Sequence, residues 1–332
     1  MSAVSVGGRV LRIREVPILL ALLVVVVITS LVSSSFASQE SLQAILIESS
    51  VIGLLASAQT MLIIMRHIDL SVGSTTGLVA FLVGQNSAMN AGVAFPISVA
   101  LGIAIGLLVG AMNGALVAYL GLPSLVVTIA MLYVVRGVFN QIAGGTTITA
   151  DQVPPLFVEL GSGSILGIPY LFICAIIGSV VITLGLRYTR FGRDLYAIGS
   201  NPQAAVRVGI PVARRTFVAF ALSGVVTGLA GMLLLSRFSF ADATSGIGIE
   251  LFVVTACVVG GVAIAGGQGT AIGALIGAVL LQTIAFALGA VGVSQFWQQA
   301  VTGALLVGAI TFDRVVAMRS SRRLSRPAEV LA

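Results

Sequence analysis

The sequence predicts an all-α, polytopic membrane protein with about ten transmembrane helices and cytoplasmic N- and C-termini. Three observations support this fold class. Of the 332 residues, 58% are hydrophobic and 8% are charged, whereas soluble domains carry roughly 25% charged residues. The apolar runs are continuous, which favours helices over the alternating pattern of a membrane β-barrel. The few charges are concentrated in short segments, which are therefore expected at the membrane surfaces.

The N-terminal tail, residues 1–16, is predicted to lie in the cytoplasm. Arg9, Arg12 and Arg14 precede the first apolar run, and arginines next to membrane spans accumulate on the cytoplasmic side. At ~20 residues per helix, each of the two longest charge-free windows holds about three spans. The predicted spans are 17–36, 42–65, 70–89, 96–119, 122–142, 166–186 and 216–236, with three more in 251–312.

The charges between the spans give an independent prediction of topology. Segment 143–165 contains acids and no base, so it is expected outside. Segment 187–215 carries six arginines and one acid, Asp194, and the tail 313–332 is also rich in arginine. Both are expected in the cytoplasm. Six predicted spans precede the first segment and ten precede the second, and an even number of spans returns the chain to the side on which it began. We therefore expect residues 1–332 to form one transmembrane domain.

The basic segment 187–215 contains the signal of a short helix at 202–209. Asn201 is a favourable N-cap, Pro202 suits the first helical position, and Gly209 can end the helix. Two interpretations remain open from these residues alone. The helix forms a docking surface for a cytoplasmic partner, or the segment is a solvated loop that only sets topology.

Composition excludes several kinds of chemistry. The chain has no lysine, so it lacks both the P-loop lysine that binds ATP and a Schiff-base lysine. It has no H-E-x-x-H motif, no nucleophile elbow and no paired membrane aspartates. His67 is its one histidine, which cannot form a metal site alone. We predict no enzyme, no metal and no cofactor, and we attribute the net charge of +6 to contact with anionic lipid rather than nucleic acid.

Glycine is frequent and regularly spaced. Residues four apart lie on one face of a helix, and a glycine face lets two helix backbones approach closely in lipid. We therefore predict two helix-packing stripes. They are Gly102, Gly106, Gly110 and Gly114 on one helix, and Gly269, Gly273 and Gly277 on another.

Few polar residues interrupt the predicted spans, and such residues often line pathways. The densest group of polar residues, 65–74, lies between two apolar runs. It indicates either a broken helix that faces a cavity or a tight turn at the membrane surface. Arg136 requires a partner at membrane depth, and Glu48 is a candidate for a structural pair with it; solute contact is the alternative. The candidate pathway or gate residues are Glu48, His67, Asp69, Ser71, Asn113 and Arg136.

Three stretches together resemble a known family. They read IDLSVGS at 68–74, TRFGR…AIGSNPQAA…GI within 189–210, and ACVVGG…GGQGT within 256–270. In this order they are similar to the membrane permease subunits of bacterial ABC importers for monosaccharides of the ribose, xylose and rhamnose type. Autoinducer-2 importers and branched-chain amino-acid permeases are related branches.

The resemblance implies that 187–215 is the loop that couples the permease to a separate ATPase subunit, which binds the ATP. It also implies a periplasmic substrate-binding protein, a second permease subunit in a homodimer or heterodimer, surrounding lipid, and a multi-pass location in the bacterial inner membrane. The family often has Glu at the position of Gln203 and Gly at that of His67. The implied coupling residues are Arg190, Phe191, Gly192, Arg193, Gly199, Asn201, Pro202, Gln203, Ala204, Ala205 and Gly209.

Two alternatives to a monosaccharide importer remain. An ion-coupled secondary transporter would use acids or histidines at membrane depth, and the spans contain few of these. An ABC permease for autoinducer-2 or for a branched-chain amino acid would retain the same three stretches. Residue patterns alone do not separate the solutes.

Overall fold

The computed structural model describes residues 15–90, 94–294, 296–298, 300–308 and 311. Within these ranges the chain is helical apart from one two-stranded hairpin and the connecting segments. The predicted tails, as far as residue 14 and from 313 to 332, lie outside the described residues. The helices are α1 (Glu15–Val32), α2 (Gln39–Ile64), α3 (Val72–Met89), α4 (Phe95–Ala118), α5 (Ser124–Ala143), α6 (Pro155–Ser162), α7 (Tyr170–Tyr188), α8 (Arg190–Ser200), α9 (Pro202–Arg207), α10 (Val212–Phe238), α11 (Ile249–Val259) and α12 (Ala271–Ala290).

Six helices in the described part of the chain are long and apolar enough to cross a membrane, namely α2, α4, α5, α7, α10 and α12. Helices α1 and α11 are apolar but shorter. The predicted class, an all-α protein that crosses the membrane several times, is therefore confirmed. The count of ten spans and the positions of the two termini stay predictions.

Helices α2 and α10 lie at the centre of the bundle. The most apolar window of α2 is 83% buried and that of α10 is 67% buried, whereas the corresponding windows of α4, α5 and α7 are each 28% buried. The peripheral helices expose large apolar side chains, such as Leu108 and Val126. A surface of this kind is stable against lipid tails and unfavourable against water.

The first glycine stripe of α4 lies directly against α10. A Cβ atom on Gly110 would lie 2.5 Å from the carbonyl oxygen of Phe220, and one on Gly106 would overlap the carbonyl oxygen of Gly224. Neither position has room for a side chain, so the two backbones touch. This close approach adds van der Waals contact where lipid removes the hydrophobic drive for helix association.

The second stripe brings α12 against the end of α11. A Cβ atom on Gly273 would lie 2.5 Å from the carbonyl oxygen of Gly260, and one on Gly277 would overlap that of Ala256. Gly269 precedes α12 and has φ +134°, a conformation that disfavours any side chain. The backbone therefore packs closely on both sides of the non-helical segment 260–270.

The connection between α5 and α7 contains several short elements. It contains a 3-10 helix (Ala150–Gln152), α6, and an antiparallel pair of strands, β1 (Ser164–Ile165) and β2 (Ile168–Pro169). A single bridge joins Ile148 to Ala241, so this connection contacts the segment that follows α10. A second 3-10 helix, Ser34–Ala37, lies between α1 and α2.

We expect Gly106→Ala to destabilise the folded protein by about 1–3 kcal/mol, the usual cost of overpacking, because its methyl group would enter the α10 backbone. Gly137→Ala is the matched control, since Gly137 is also in a candidate span and a Cβ atom there would meet nothing within 4 Å. Thermal unfolding of the purified protein in detergent measures both. Equal unfolding temperatures for the two variants would contradict the backbone contact.

Candidate functional site

Three segments that are far apart in the sequence meet at one end of the bundle. They are the turn after α2 (residues 65–71), the C-terminal end of α8, and the glycine-rich segment 260–270. Arg66 Nε donates a hydrogen bond to the carbonyl oxygen of Gly199 at 2.6 Å, and its Nη2 donates to that of Ser200 at 3.0 Å. We name this region the α8–α9 end of the bundle. It unites the three stretches that carry the family resemblance.

Backbone contacts close the same junction. The Gly267 N–H donates to the carbonyl oxygen of Ile64 at 2.8 Å, and the Tyr196 hydroxyl donates to that of Gly269 at 2.7 Å. A Cβ atom on Gly199 would overlap the Ile64 carbonyl, and Gly267 has φ +75°. Both positions therefore require glycine, one for space and one for backbone conformation.

Helix α8 is the main element here that the sequence analysis missed, since it predicted only the short helix at 202–209. Its apolar residues Phe191, Leu195 and Ile198 are spaced by four and three, which is the helical period that could have revealed it. Leu195 and Ile198 are buried. The Thr189 side chain caps the first turn by accepting from the Gly192 N–H at 3.0 Å.

An ion pair connects α8 to the start of α10. Arg215 donates from Nη2 and Nε to Asp194 Oδ2 at 2.6 and 2.8 Å, and its guanidinium lies 5.7 Å from the centre of the Phe191 ring. Arg190 and Arg193, on the same helix, are exposed. The basic segment is therefore anchored to α10 through one arginine and presents others at the surface.

The predicted short helix is present as α9. The Asn201 side chain accepts from the Ala204 N–H at 3.0 Å, Pro202 occupies the first turn, and Gly209 has φ +80°. Ala205 is buried at 3% exposure against the chain's own bundle. The exposed side of the helix and of the turn after it consists of Gln203, Ala204, Val206, Arg207 and Val208.

Asp69, Ser71 and Asn113 form a buried polar cluster next to the turn after α2. Asp69 Oδ1 accepts from the Ser71 N–H at 2.8 Å and from the Ser71 hydroxyl at 2.6 Å. Asn113 Nδ2 donates to Ser71 Oγ at 2.8 Å. Burial raises the pKa of the Asp69 carboxyl, and the hydrogen bonds from Ser71 and Asn113 oppose that rise. The cluster links the start of α3 to α4.

His67 lies in the same turn but outside that cluster. Its ring packs against the ring of Phe220 in α10, with centroids 5.9 Å apart. Burial lowers the pKa of this imidazole, because removal from water disfavours the charged form. His67 therefore makes an apolar contact between the turn and α10.

The other two candidate pathway residues lie toward the opposite end, and the expected pair between Glu48 and Arg136 is wrong. Glu48 instead forms an ion pair with Arg237, in the last turn of α10. Arg136 donates from Nη1 to the carbonyl oxygens of Ala243 and Ser245, at 3.0 and 2.9 Å. The structure thus brings Asp69, Ser71 and Asn113 together, and it separates them from Glu48 and Arg136.

The segment that receives the Arg136 hydrogen bonds, residues 239–248, enters the bundle without helical structure. A Cβ atom on Gly73 would lie 2.6 Å from the carbonyl oxygen of Gly246, so the segment packs against the start of α3. Non-helical backbone inside a helical bundle needs hydrogen-bond partners, and Arg136 supplies two hydrogen bonds. Neither partner was apparent from the sequence, because backbone carbonyls leave no residue-type signal.

A local turn also supports this segment. Asp242 Oδ1 accepts from the Thr244 N–H at 3.0 Å and from its hydroxyl at 2.7 Å. Burial raises the pKa of Asp242, but hydrogen bonds from Thr244 and Ser245 outweigh it and hold that pKa below its usual value. Across the ranges that the structure covers, no group of three His, Cys, Asp or Glu side chains could hold a metal ion.

Comparison with known proteins adds to this geometry. Residues 41–310 match a family model described as the permease component of branched-chain amino acid transport systems. The L-arabinose ABC transporter permease protein AraH of Azospirillum brasilense is 35% identical over 96% of this chain and 92% of its own length. No solved structure matches the chain.

Autoinducer 2 import system permease proteins are similar over almost the same range. LsrC of Salmonella typhimurium is 33% identical over 94% of this chain and 89% of its own length. LsrC of Escherichia coli is 33% identical over 94% of this chain and 90% of its own length. All three converging stretches fall within residues 41–310, the range that matches the family model.

We expect Arg66→Ala to loosen the C-terminal part of α8, because it removes both hydrogen bonds to the carbonyls of Gly199 and Ser200. Partly exposed bonds of this kind contribute about 1 kcal/mol, or about a fivefold change in local opening. Hydrogen–deuterium exchange over 195–205 measures the effect. Arg187→Ala is the matched control at the same end, since Arg187 stacks on Tyr188. Equal exchange in both variants would contradict the anchoring role.

Proposed function

The chain belongs to the family of permease components of branched-chain amino acid transport systems, and on that premise we propose that it is the membrane subunit of an ABC importer for a monosaccharide. The observation that carries the solute class is the 35% identity to an L-arabinose permease over 96% of the chain. The similarity extends through the α8–α9 end, the bundle and the connecting segments alike. It therefore concerns the whole transport domain.

ATP hydrolysis in this proposal belongs to a separate ATPase subunit. The chain has no lysine, so no P-loop can form on it. The docking surface for that subunit is the exposed side of α9 and of the turn after it. Val206 and Val208 are 62% and 76% exposed there, next to Arg207, and exposed apolar side chains rimmed by charge are typical of a protein interface.

The contacts of α8 could transmit movement of the docking surface to the helices in the membrane. A displacement of α9 would act on α8 directly, because Asn201 ends one helix and caps the other. The Asp194–Arg215 ion pair connects α8 to α10, and the Arg66 hydrogen bonds connect α8 to the end of α2. These two helices are the most buried of the six candidate spans, so their movement would reach the helices packed around them.

The complete assembly in the proposal has ten spans per permease, with both termini in the cytoplasm. It includes two permease copies, identical or homologous, and a periplasmic binding protein in a bacterial inner membrane. The helix directions support this topology. Helices α2 and α7 run toward the α8–α9 end, α10 and α12 run away from it, and the six arginines of 187–215 favour the cytoplasm for that end.

A second candidate solute is autoinducer 2. Its support is the 33% identity to LsrC proteins over 94% of the chain, close to the value for the arabinose permease. Competition between labelled L-arabinose and unlabelled autoinducer 2 in cells that express the transporter separates the two. Strong inhibition of uptake by low autoinducer 2, with weak self-competition by arabinose, would favour this second solute.

We expect Val208→Asp to lower the amount of ATPase subunit that co-purifies with the permease by about tenfold. The change places a charge in an apolar contact, which costs an interface on the order of 1–2 kcal/mol. Val291→Asp is the matched control, because Val291 is 50% exposed at the opposite end of the bundle. If the Val208→Asp permease co-purified with an undiminished amount of ATPase subunit, the docking surface would have to lie elsewhere.

We also expect uptake of labelled sugar to depend on ATP hydrolysis by the partner. Cells that carry an ATPase subunit with a disabled Walker B acid should lose at least ~90% of uptake, since catalytic-site losses in phosphoryl transfer are large. A protonophore applied with cellular ATP maintained should have little effect. Uptake that survives the disabled ATPase and collapses with the protonophore would instead indicate an ion-coupled carrier.

A further inference from the structure

An open cavity of about 940 Å³ lies at the end of the bundle opposite α8–α9. Its walls come from α2, α10, the non-helical segment 239–248, α11 and α12. Glu48 in this wall precedes Ile64 of the α8–α9 end by 16 positions on α2, a distance of about 24 Å along a helix. In the proposed topology the cavity therefore opens toward the periplasm, where solute arrives.

Two of the three charged side chains in the cavity wall neutralise each other, and the third, Asp242, accepts hydrogen bonds from Thr244 and Ser245. Glu48 and Arg237 form an ion pair, and their side chains remain 30% and 16% exposed to the cavity side. One pair of this kind leaves further carboxylate acceptors and guanidinium donors available for hydrogen bonds. The pair therefore offers a neutral solute both donors and acceptors.

Gln282 of α12 adds an amide to the same wall. It is only 9% exposed, it lines the cavity, and among the described residues no group hydrogen-bonds its side chain. Buried amides normally have partners, so this one is suited to meet a hydroxyl-bearing ligand or water in the cavity. Its carbonyl oxygen and NH₂ group serve one hydroxyl as acceptor and a second as donor.

Aromatic rings make up much of the remaining wall. Phe36, Phe238, Phe240, Phe252 and Phe286 all line the cavity. A sugar ring has polar hydroxyls at its edge and apolar C–H groups on its faces, and phenyl faces can pack against the latter. Apolar walls with a few placed polar groups are the usual form of a small-molecule site.

We propose that this cavity is a solute-binding vestibule for a neutral polyhydroxylated molecule, held by Gln282 and the Glu48–Arg237 pair against the phenylalanine rings. The inference rests on the proposed function, and it adds the place and the chemical class of binding. A free amino acid fits less well. The Asp242 carboxylate could meet its ammonium, but its carboxylate would have to take Arg237 from Glu48.

Gln282→Leu tests the polar contact, since leucine removes the amide and nearly preserves the volume. Uptake of radiolabelled L-arabinose, D-ribose, D-xylose and L-rhamnose is measured in cells with the full importer. We expect KM for the transported sugar to rise about tenfold. Gln141→Leu, at an exposed glutamine of α5, should keep the KM of the unchanged protein.

Accessibility gives a second measurement that does not depend on the amide. Ala285→Cys lines the cavity, whereas Ala287→Cys is two residues away on α12 and does not. In a Cys174→Ala background, a membrane-impermeant methanethiosulfonate reagent should modify the first cysteine and block uptake. Sugar should slow that modification by several-fold, and the second cysteine should leave uptake intact.

The outcomes separate the vestibule from the proposed function. If the unchanged importer takes up none of the sugars with its ATPase and binding protein, the monosaccharide function fails and the vestibule proposal falls with it. If uptake is normal, Gln282→Leu keeps its KM and the modified Ala285→Cys still transports, the vestibule proposal alone is overturned. A raised KM together with sugar protection at position 285 supports it.

Discussion

The end of α2 is the point on which the rest of the structure depends, because two separate segments, α8 and 260–270, converge on one backbone carbonyl there. Ile64 accepts the Gly267 N–H at 2.8 Å, and Gly199 packs against the same oxygen so closely that a Cβ atom would overlap it. In lipid, helices gain little from the hydrophobic effect when they associate, so contact between backbones supplies much of the packing energy. A side chain at position 199 would push α8 away from α2 and disconnect the basic segment from the bundle.

This constraint makes the two ends of the bundle physically different. At the α8–α9 end, glycines, Arg66 and the Asp194–Arg215 pair hold the segments in contact. At the opposite end the walls separate around a cavity of about 940 Å³. Between them, Arg136 supports the non-helical segment 239–248 through two carbonyl hydrogen bonds. In the proposed function, the closed end transmits movement of the ATPase subunit and the open end admits solute.

The sequence predicted the fold class, the main spans and the short helix after Asn201, because each depends on local composition or local capping. It did not predict α8, whose apolar spacing was hidden by the surrounding arginines. It also offered Glu48 as a candidate partner for Arg136, whereas the structure pairs Glu48 with Arg237. An ion pair between distant helices depends on helix rotation and depth, which apolar runs define only within about a turn.

The sequence by itself determined that this is a multi-pass helical membrane protein without lysine, and it showed three stretches that resemble ABC permeases. Hydrophobic length and residue type are sufficient for those conclusions, because the bilayer imposes them on each helix separately. Only the tertiary structure decided that two of the three stretches meet on Ile64. It also decided that Ala205 faces inward while Val206 and Val208 face outward, and that Gln282 lines a cavity. Those properties arise from contacts between distant helices, which no local pattern encodes.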